Sequence, residues 1–94
     1  MKVGFIGLGN VGAKLAGSIL RNGFDLTVRD LDSSATEEFS RLGAQVAPSP
    51  KALAEHCDVI ITCLPSPAVS ASVMEEENGV LAGLSEGKIW IEMS

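Results

Sequence analysis

Basic residues are scarce in this chain: seven lysines and arginines stand against twelve aspartates and glutamates, for a formal net charge of −5. Nucleic acid and anionic membranes both reward a basic surface, so neither is expected as the main partner. The deficit does not exclude a phosphate-bearing small ligand, because backbone N–H groups hold phosphate without a basic patch. Long apolar runs are missing too. Nothing approaches the ~20 residues that span a bilayer. The stretch from Val3 to Gly7, between Met1-Lys2 and the glycine cluster, is too short for a targeting segment. The expected location is the cytoplasm, or an organelle matrix where a targeting segment has been removed.

Metal-ligating side chains are equally few. His56 is the only histidine, and Cys57 and Cys63 are the only cysteines. The two thiols lack Cys-x-x-Cys spacing and are expected to be buried and reduced, Cys63 at the end of a buried strand. His56 has no second ligand pair beside it, so no metal site is expected. It suits the end of a helix instead, where the dipole favours positive charge. With 94 residues, one modest core burying roughly two-thirds of the unfolded surface is feasible. A separate substrate domain is not. Internal repeats, low-complexity segments and linkers are absent.

What is present is an alternation of strands and helices. Lys2–Gly7 has the apolar run of a short buried strand. Asn10–Asn22 has a helical period, with Gly12, Ala16, Ile19, Leu20 and Gly23 on one face and Lys14, Ser18, Arg21 and Asn22 on the other. Asn22-Gly23 supplies the stop. Phe24–Asp30 reads as a second strand. Ser34 and Glu37 have capping-box spacing for the next helix. That helix would bury Ala35, Phe39 and Leu42, pair Glu37 with Arg41, and close at Gly43.

Ala44–Ala47 is a brief third strand, and Ser49-Pro50 opens a short helix to His56. Asp58–Leu64 is an unbroken apolar strand, which suits a parallel strand covered on both faces. Ser66-Pro67 opens a helix from Ala68 to about Glu75, and the acidic run after it is a solvated stop. Val80–Leu84 forms a helical turn, and Lys88–Glu92, with Trp90, is the last strand. The expected fold is therefore α/β: a Rossmann-type parallel sheet in strand order 3-2-1-4-5 with helices on both faces. Ligands of such sheets sit at the carboxyl ends of strands 1 and 4, where the order reverses. The last strand would be an exposed edge, with a tendency to pair with another copy.

Gly7-Leu8-Gly9-Asn10-Val11-Gly12 matches G-x-G-x-x-G, and it stands between a strand and an amphipathic helix as the dinucleotide-binding fingerprint requires. Gly7 permits the tight turn, Gly9 lets the backbone approach a pyrophosphate, and Gly12 lets the helix pack closely. N–H groups near Asn10 and Val11 face the phosphates at the positive end of the helix. Asp30, 18 residues after Gly12, stands where the fingerprint places an acid for the adenosine ribose hydroxyls. A carboxylate there repels a 2′-phosphate, so NAD is expected over NADP. Arg29 is the counter-signal, since a neighbouring guanidinium can accommodate that phosphate. Leu64-Pro65 follows strand 4 and borders the same crevice.

With those residues in place, the whole chain resembles the N-terminus of the β-hydroxyacid dehydrogenase family, which includes 3-hydroxyisobutyrate and 6-phosphogluconate dehydrogenases. The stretch from Gly4 to Gly12 is similar to that family's opening loop, with Val11 in place of the usual methionine. The resemblance implies cofactor contacts by Gly7, Leu8, Gly9, Asn10, Val11, Gly12, Asp30, Leu64 and Pro65. Glu92-Met93-Ser94 matches the first part of the family's acid-x-Ser-Thr sequence, which places Ser94 beside the substrate. The family's catalytic lysine lies in a helical second domain that residues 1–94 do not contain, so no catalytic residue is expected here. The resemblance implies part of an NAD-dependent oxidoreductase acting on a small 3-hydroxy acid, inactive by itself. Two alternatives stay open at this point: a dinucleotide-sensing module without catalysis, and part of an S-adenosylmethionine-dependent methyltransferase.

Overall fold

The computed structural model describes residues 1–64, 73–75, 77 and 79–93. Five strands form one parallel sheet: β1 (Lys2–Ile6), β2 (Asp25–Arg29), β3 (Gln45–Val46), β4 (Val59–Thr62) and β5 (Ile89–Glu92). Their spatial order is β3-β2-β1-β4-β5, as expected from the sequence. Phe5 lies level with Val28 on one neighbour and Ile61 on the other, so β1 is the central strand. Among the described residues, helices α1 (Asn10–Arg21), α2 (Ser33–Arg41), α3 (Pro50–His56) and α4 (Val80–Gly83) lie between them. None of the described helices is long and apolar enough to cross a membrane.

Alternation along each strand divides the core into two layers. Val3, Phe5, Leu26 and Val28 face Ala16 of α1 and Phe39 of α2. Ile6 and Ile60 face Leu53 and Ala54 of α3 and Val80 of α4. Helices thus cover both faces, the arrangement that unbroken apolar strands require. Gly4 belongs to the second layer: a Cβ there would lie 2.3 Å from Leu53 Cδ2. Gly83 serves the same layer, since its Cβ would lie 2.3 Å from the Lys51 carbonyl oxygen where α4 crosses α3.

Several local expectations are corrected. Asp32, not Ser34, caps α2: its Oδ1 accepts the Ser34 amide at 3.0 Å and the Ser34 hydroxyl at 2.6 Å. Both residue types cap well, but β2 ends at Arg29 and turns the chain into α2 early enough to put Ser34 inside the helix. The buried face of α2 is Thr36 and Phe39, with Ala35 half-buried. Leu42, the C-cap of α2, is 63% exposed instead of joining that face. Cys63 lies just past β4, half-buried rather than buried. The Glu37–Arg41 pair forms at 3.8 Å on the exposed side of α2, and His56 ends α3 as expected. Most of the helix expected from Ala68 to Glu75, with its Ser66 cap, lies outside the described residues; 73–75 are helical.

One edge strand of the sheet is β5, with Ile89, Trp90 and Ile91 all exposed. It is anchored from within. Trp90 Nε1 donates to the buried Thr62 hydroxyl at 3.1 Å. The Lys88 ammonium donates to the Ala54 carbonyl and, at 2.7 Å, to the Glu55 carbonyl, tying β5 to the negative end of α3.

Cys57 is fully buried beneath α3, and burial pushes its thiol up from its ordinary value of 9.0. The Thr27 hydroxyl and the Lys88 ammonium pull the other way without cancelling it. The folded chain therefore keeps this proton at a pH where the unfolded chain releases it. Stability from this group is complete below pH 9.0 and falls as pH rises above that value. Thermal unfolding from about pH 8 to 10 is expected to show a steeper alkaline decline in the wild type than in Cys57→Ala. Parallel curves would show that the thiol titrates alike in both states.

Candidate dinucleotide site

The site grows from the turn at the end of β1. Gly7 has φ +100°, a backbone conformation that side chains disfavour. Its amide donates to the Arg29 carbonyl at 3.1 Å, and the Cys63 amide donates to the Ile6 carbonyl at 2.9 Å. The carboxyl ends of β1, β2 and β4 are therefore tied together directly below the loop. A Cβ on Gly7 would lie 2.1 Å from the Cys63 carbonyl oxygen and 3.2 Å from Leu64 Cδ2. Leu64 thus stands at the crevice, as its position after strand 4 implied.

Gly9 and Gly12 do different work. Gly12 is buried in the first turn of α1, and a Cβ there would lie 2.0 Å from the Gly7 carbonyl oxygen. Among the described residues, a Cβ on Gly9 would meet no atom within 4 Å. Space at Gly9 is what a closely approaching ligand needs. Helix α1 begins at Asn10 with Gly9 as its N-cap, no side-chain cap and no acid in its first turn. The first N–H groups of a helix have no partner inside it. At α2 and α3 side chains supply one: Asp32 accepts from the Ser34 amide and Ser49 from the Ala52 amide. Among the described residues none does at α1, an arrangement that suits an anion. Asn10 and the 62%-exposed Val11 border it.

Leu8 faces inward. Its side chain is buried against the first core layer, and its amide donates to Asp30 Oδ2 at 2.5 Å. Asp30 Oδ1 accepts the Asp32 amide at 2.9 Å. The acid expected to read the ribose therefore also holds the loop, across 22 residues of sequence. No local pattern in the chain signals that contact. Asp32 is exposed, and its hydrogen bonds from the Ser34 side chain and amide hold its carboxyl below its ordinary value. Pro65 and Ser94, also expected at the site, lie outside the described residues. Among the described residues no group of three or more His, Cys, Asp or Glu could hold a metal ion.

A parallel sheet that reverses beside β1, with a glycine turn leading into an uncapped helix and an acid at the end of β2, defines a dinucleotide-binding α/β domain. The chain belongs to the family described as the NAD binding domain of 6-phosphogluconate dehydrogenase, whose model matches residues 2–94. Mitochondrial 3-hydroxyisobutyrate dehydrogenase of Rattus norvegicus is 41% identical to it over 92 residues, covering 98% of this chain and 28% of that protein. This chain thus spans less than a third of that relative's length. Among solved structures, Mycobacterium tuberculosis 3-hydroxyisobutyrate dehydrogenase with L-serine superposes with a TM-score of 0.83 at 26% identity, covering 97% of this chain and 30% of that one. An imine reductase from Myxococcus stipitatus in complex with NADP+ reaches a TM-score of 0.90 at 22% identity, covering 99% of this chain and 32% of that one. That second likeness speaks to the fold alone. The domain is an NAD(P)-binding one, and the methyltransferase alternative is set aside.

Proposed function

We propose that this chain is the cofactor-binding part of an NAD-dependent dehydrogenase that oxidises a small 3-hydroxy acid, similar to 3-hydroxyisobutyrate. Residues 1–94 would supply the dinucleotide half of the active site, and a helical domain beyond them would supply the catalytic lysine. The observation that carries the cofactor half is the pairing of an uncapped α1 with open space at Gly9. The substrate class rests on the similarity to 3-hydroxyisobutyrate dehydrogenases. A cytoplasmic or organelle-matrix location belongs to the same reading.

In this proposal the amides at Asn10, Val11 and Gly12 hold the pyrophosphate, and Gly7 and Leu8 shape the loop. Asp30 accepts ribose hydroxyls, while Leu64 and Pro65 line the path toward the nicotinamide ribose. Ser94 borders the substrate. The bound cofactor supplies the hydride acceptor, nicotinamide C4. Asp30 keeps acceptor capacity for a ribose hydroxyl, because each carboxylate oxygen has a second lone pair beyond the one its amide partner takes.

Calorimetric titration of the 94-residue chain with NADH and with NADPH tests this. Saturable binding that prefers NADH is expected, with quenching of Trp90 as a second signal. A folded chain that binds neither dinucleotide would overturn the reading, and equal affinity for both would overturn its NAD preference.

A further inference from the structure

The two sides of the sheet are covered unequally. On the face that α1 and α2 pack, β4 and β5 set Val59 level with Ile89 and Ile61 level with Ile91. Ile61 leans on the first core layer. Ile89, Ile91 and Met93 are 57%, 43% and 45% exposed and belong to neither layer. Trp90 alternates to the opposite face, where its indole donates to Thr62. Among the described residues, an apolar strip therefore lies bare along β5.

Handedness explains why the fold leaves it so. From β1 to β2 to β3 the chain steps one way across the sheet, and α1 and α2 lie on the first-layer face. From β3 to β4 to β5 it steps the other way, and Leu53, Val73, Met74 and Val80 lie in the second layer. Right-handed crossovers require that opposition. A further parallel strand beside β5 would place its helix in the second layer again. No crossover that extends this sheet past β5 reaches Ile89 and Ile91.

Resting on the reading above, that residues 1–94 are one part of a longer dehydrogenase, we infer that this strip seats the apolar face of a helix from the remainder of the same polypeptide. Its size favours that occupant over a second copy. Three half-exposed side chains offer on the order of a few hundred Å². Each partner of a stable free-standing interface contributes about 800 Å². A segment linked to β5 needs less, because linkage holds it at about millimolar effective concentration. The chain covers 28% of its rat relative, so on this reading most of the polypeptide remains to supply such a helix. The strip also runs into the dinucleotide crevice. Cys63, which abuts Gly7, donates its thiol to the Met93 carbonyl at 3.6 Å. A helix seated there stands at the edge of the crevice that Leu64 borders.

The three methionines supply the experiment, since peroxide oxidises an accessible thioether faster than a buried one. Met1 is exposed, Met74 is buried and Met93 lies at the end of the strip. Their oxidation is followed by mass spectrometry in the 94-residue chain and in the full-length protein. Met93 is expected to oxidise about fivefold or more slowly in the full-length protein, with Met1 and Met74 changed by less than about twofold. Ile89→Thr with Ile91→Thr in the full-length protein should return at least about threefold of that rate, leaving NADH affinity within about twofold. Equal oxidation of Met93 in the two proteins overturns the inference. Protection that survives the double substitution comes from strand pairing at the edge and overturns it too. So does a 94-residue chain that sediments as a dimer and becomes a monomer on the same substitutions, since a second copy is then the occupant. Full-length protein that protects Met93 but binds neither NADH nor NADPH upholds the contact and overturns the dinucleotide reading. A natural polypeptide that ends at Ser94 overturns both.

Discussion

Gly9→Val is expected to lose dinucleotide binding by roughly a hundredfold, about 2.7 kcal/mol, while the chain remains folded. Gly9 has φ −67° and ψ −173°, an extended conformation that any residue adopts. Among the described residues an added Cβ meets nothing within 4 Å, so valine clashes with none of them. The only cost is a poorer N-cap, about 1 kcal/mol or less. A pyrophosphate lying against the loop, however, would meet both methyl groups. Calorimetry with NADH beside a thermal melt checks both halves of the expectation. Binding retained at wild-type strength would mean the pyrophosphate does not pass over Gly9.

Gly12→Ala is expected to do the reverse: damage the fold first and binding as a consequence. Alanine is the better helix former by about 1 kcal/mol, and on an open helix it would stabilise. Here its Cβ would stand 2.0 Å from the Gly7 carbonyl oxygen and 3.3 Å from Phe5 Cε1. A backbone oxygen at the end of the central strand cannot swing aside as a flexible side chain can, so α1 must shift off the sheet. Overpacking of this kind costs about 1–3 kcal/mol. At a chain of this size that lowers the melting temperature by roughly 10 °C, and the displaced helix end weakens NADH binding as well. A melting temperature at or above the wild type's would show that α1 has room to move.

The contrast between Gly9 and Gly12 shows how legible this site was. The spacing of the fingerprint assigns them separate roles, and the surroundings of an added Cβ differ between them. Leu64 beside Gly7 was legible for a similar reason, since a residue just past strand 4 has to face the end of strand 1. The cap of α2 was less so. Asp32 and Ser34 are both good capping residues, and the choice depended on the residue at which β2 ended. Leu42 keeps the helical period of Ala35 and Phe39 as the C-cap of α2, yet it is exposed, because periodicity does not say what packs against a helix end.

The amino-acid sequence by itself determined the order of elements, the parallel sheet and its reversal beside β1. Those follow from local causes: unbroken apolar strands, a helical period after the glycines, and the fixed handedness of crossovers. It also determined the glycine loop and the position of its acid, because both are matters of spacing along the chain. Tertiary structure alone decided what that acid touches. The Asp30 carboxylate meets the Leu8 amide only because β1 and β2 lie side by side with Ile6 level with Arg29. Gly4 under Leu53 and Lys88 on the end of α3 were likewise settled by which layers came together. Such contacts join residues far apart in sequence, and packing brings them within reach; no local preference encodes them.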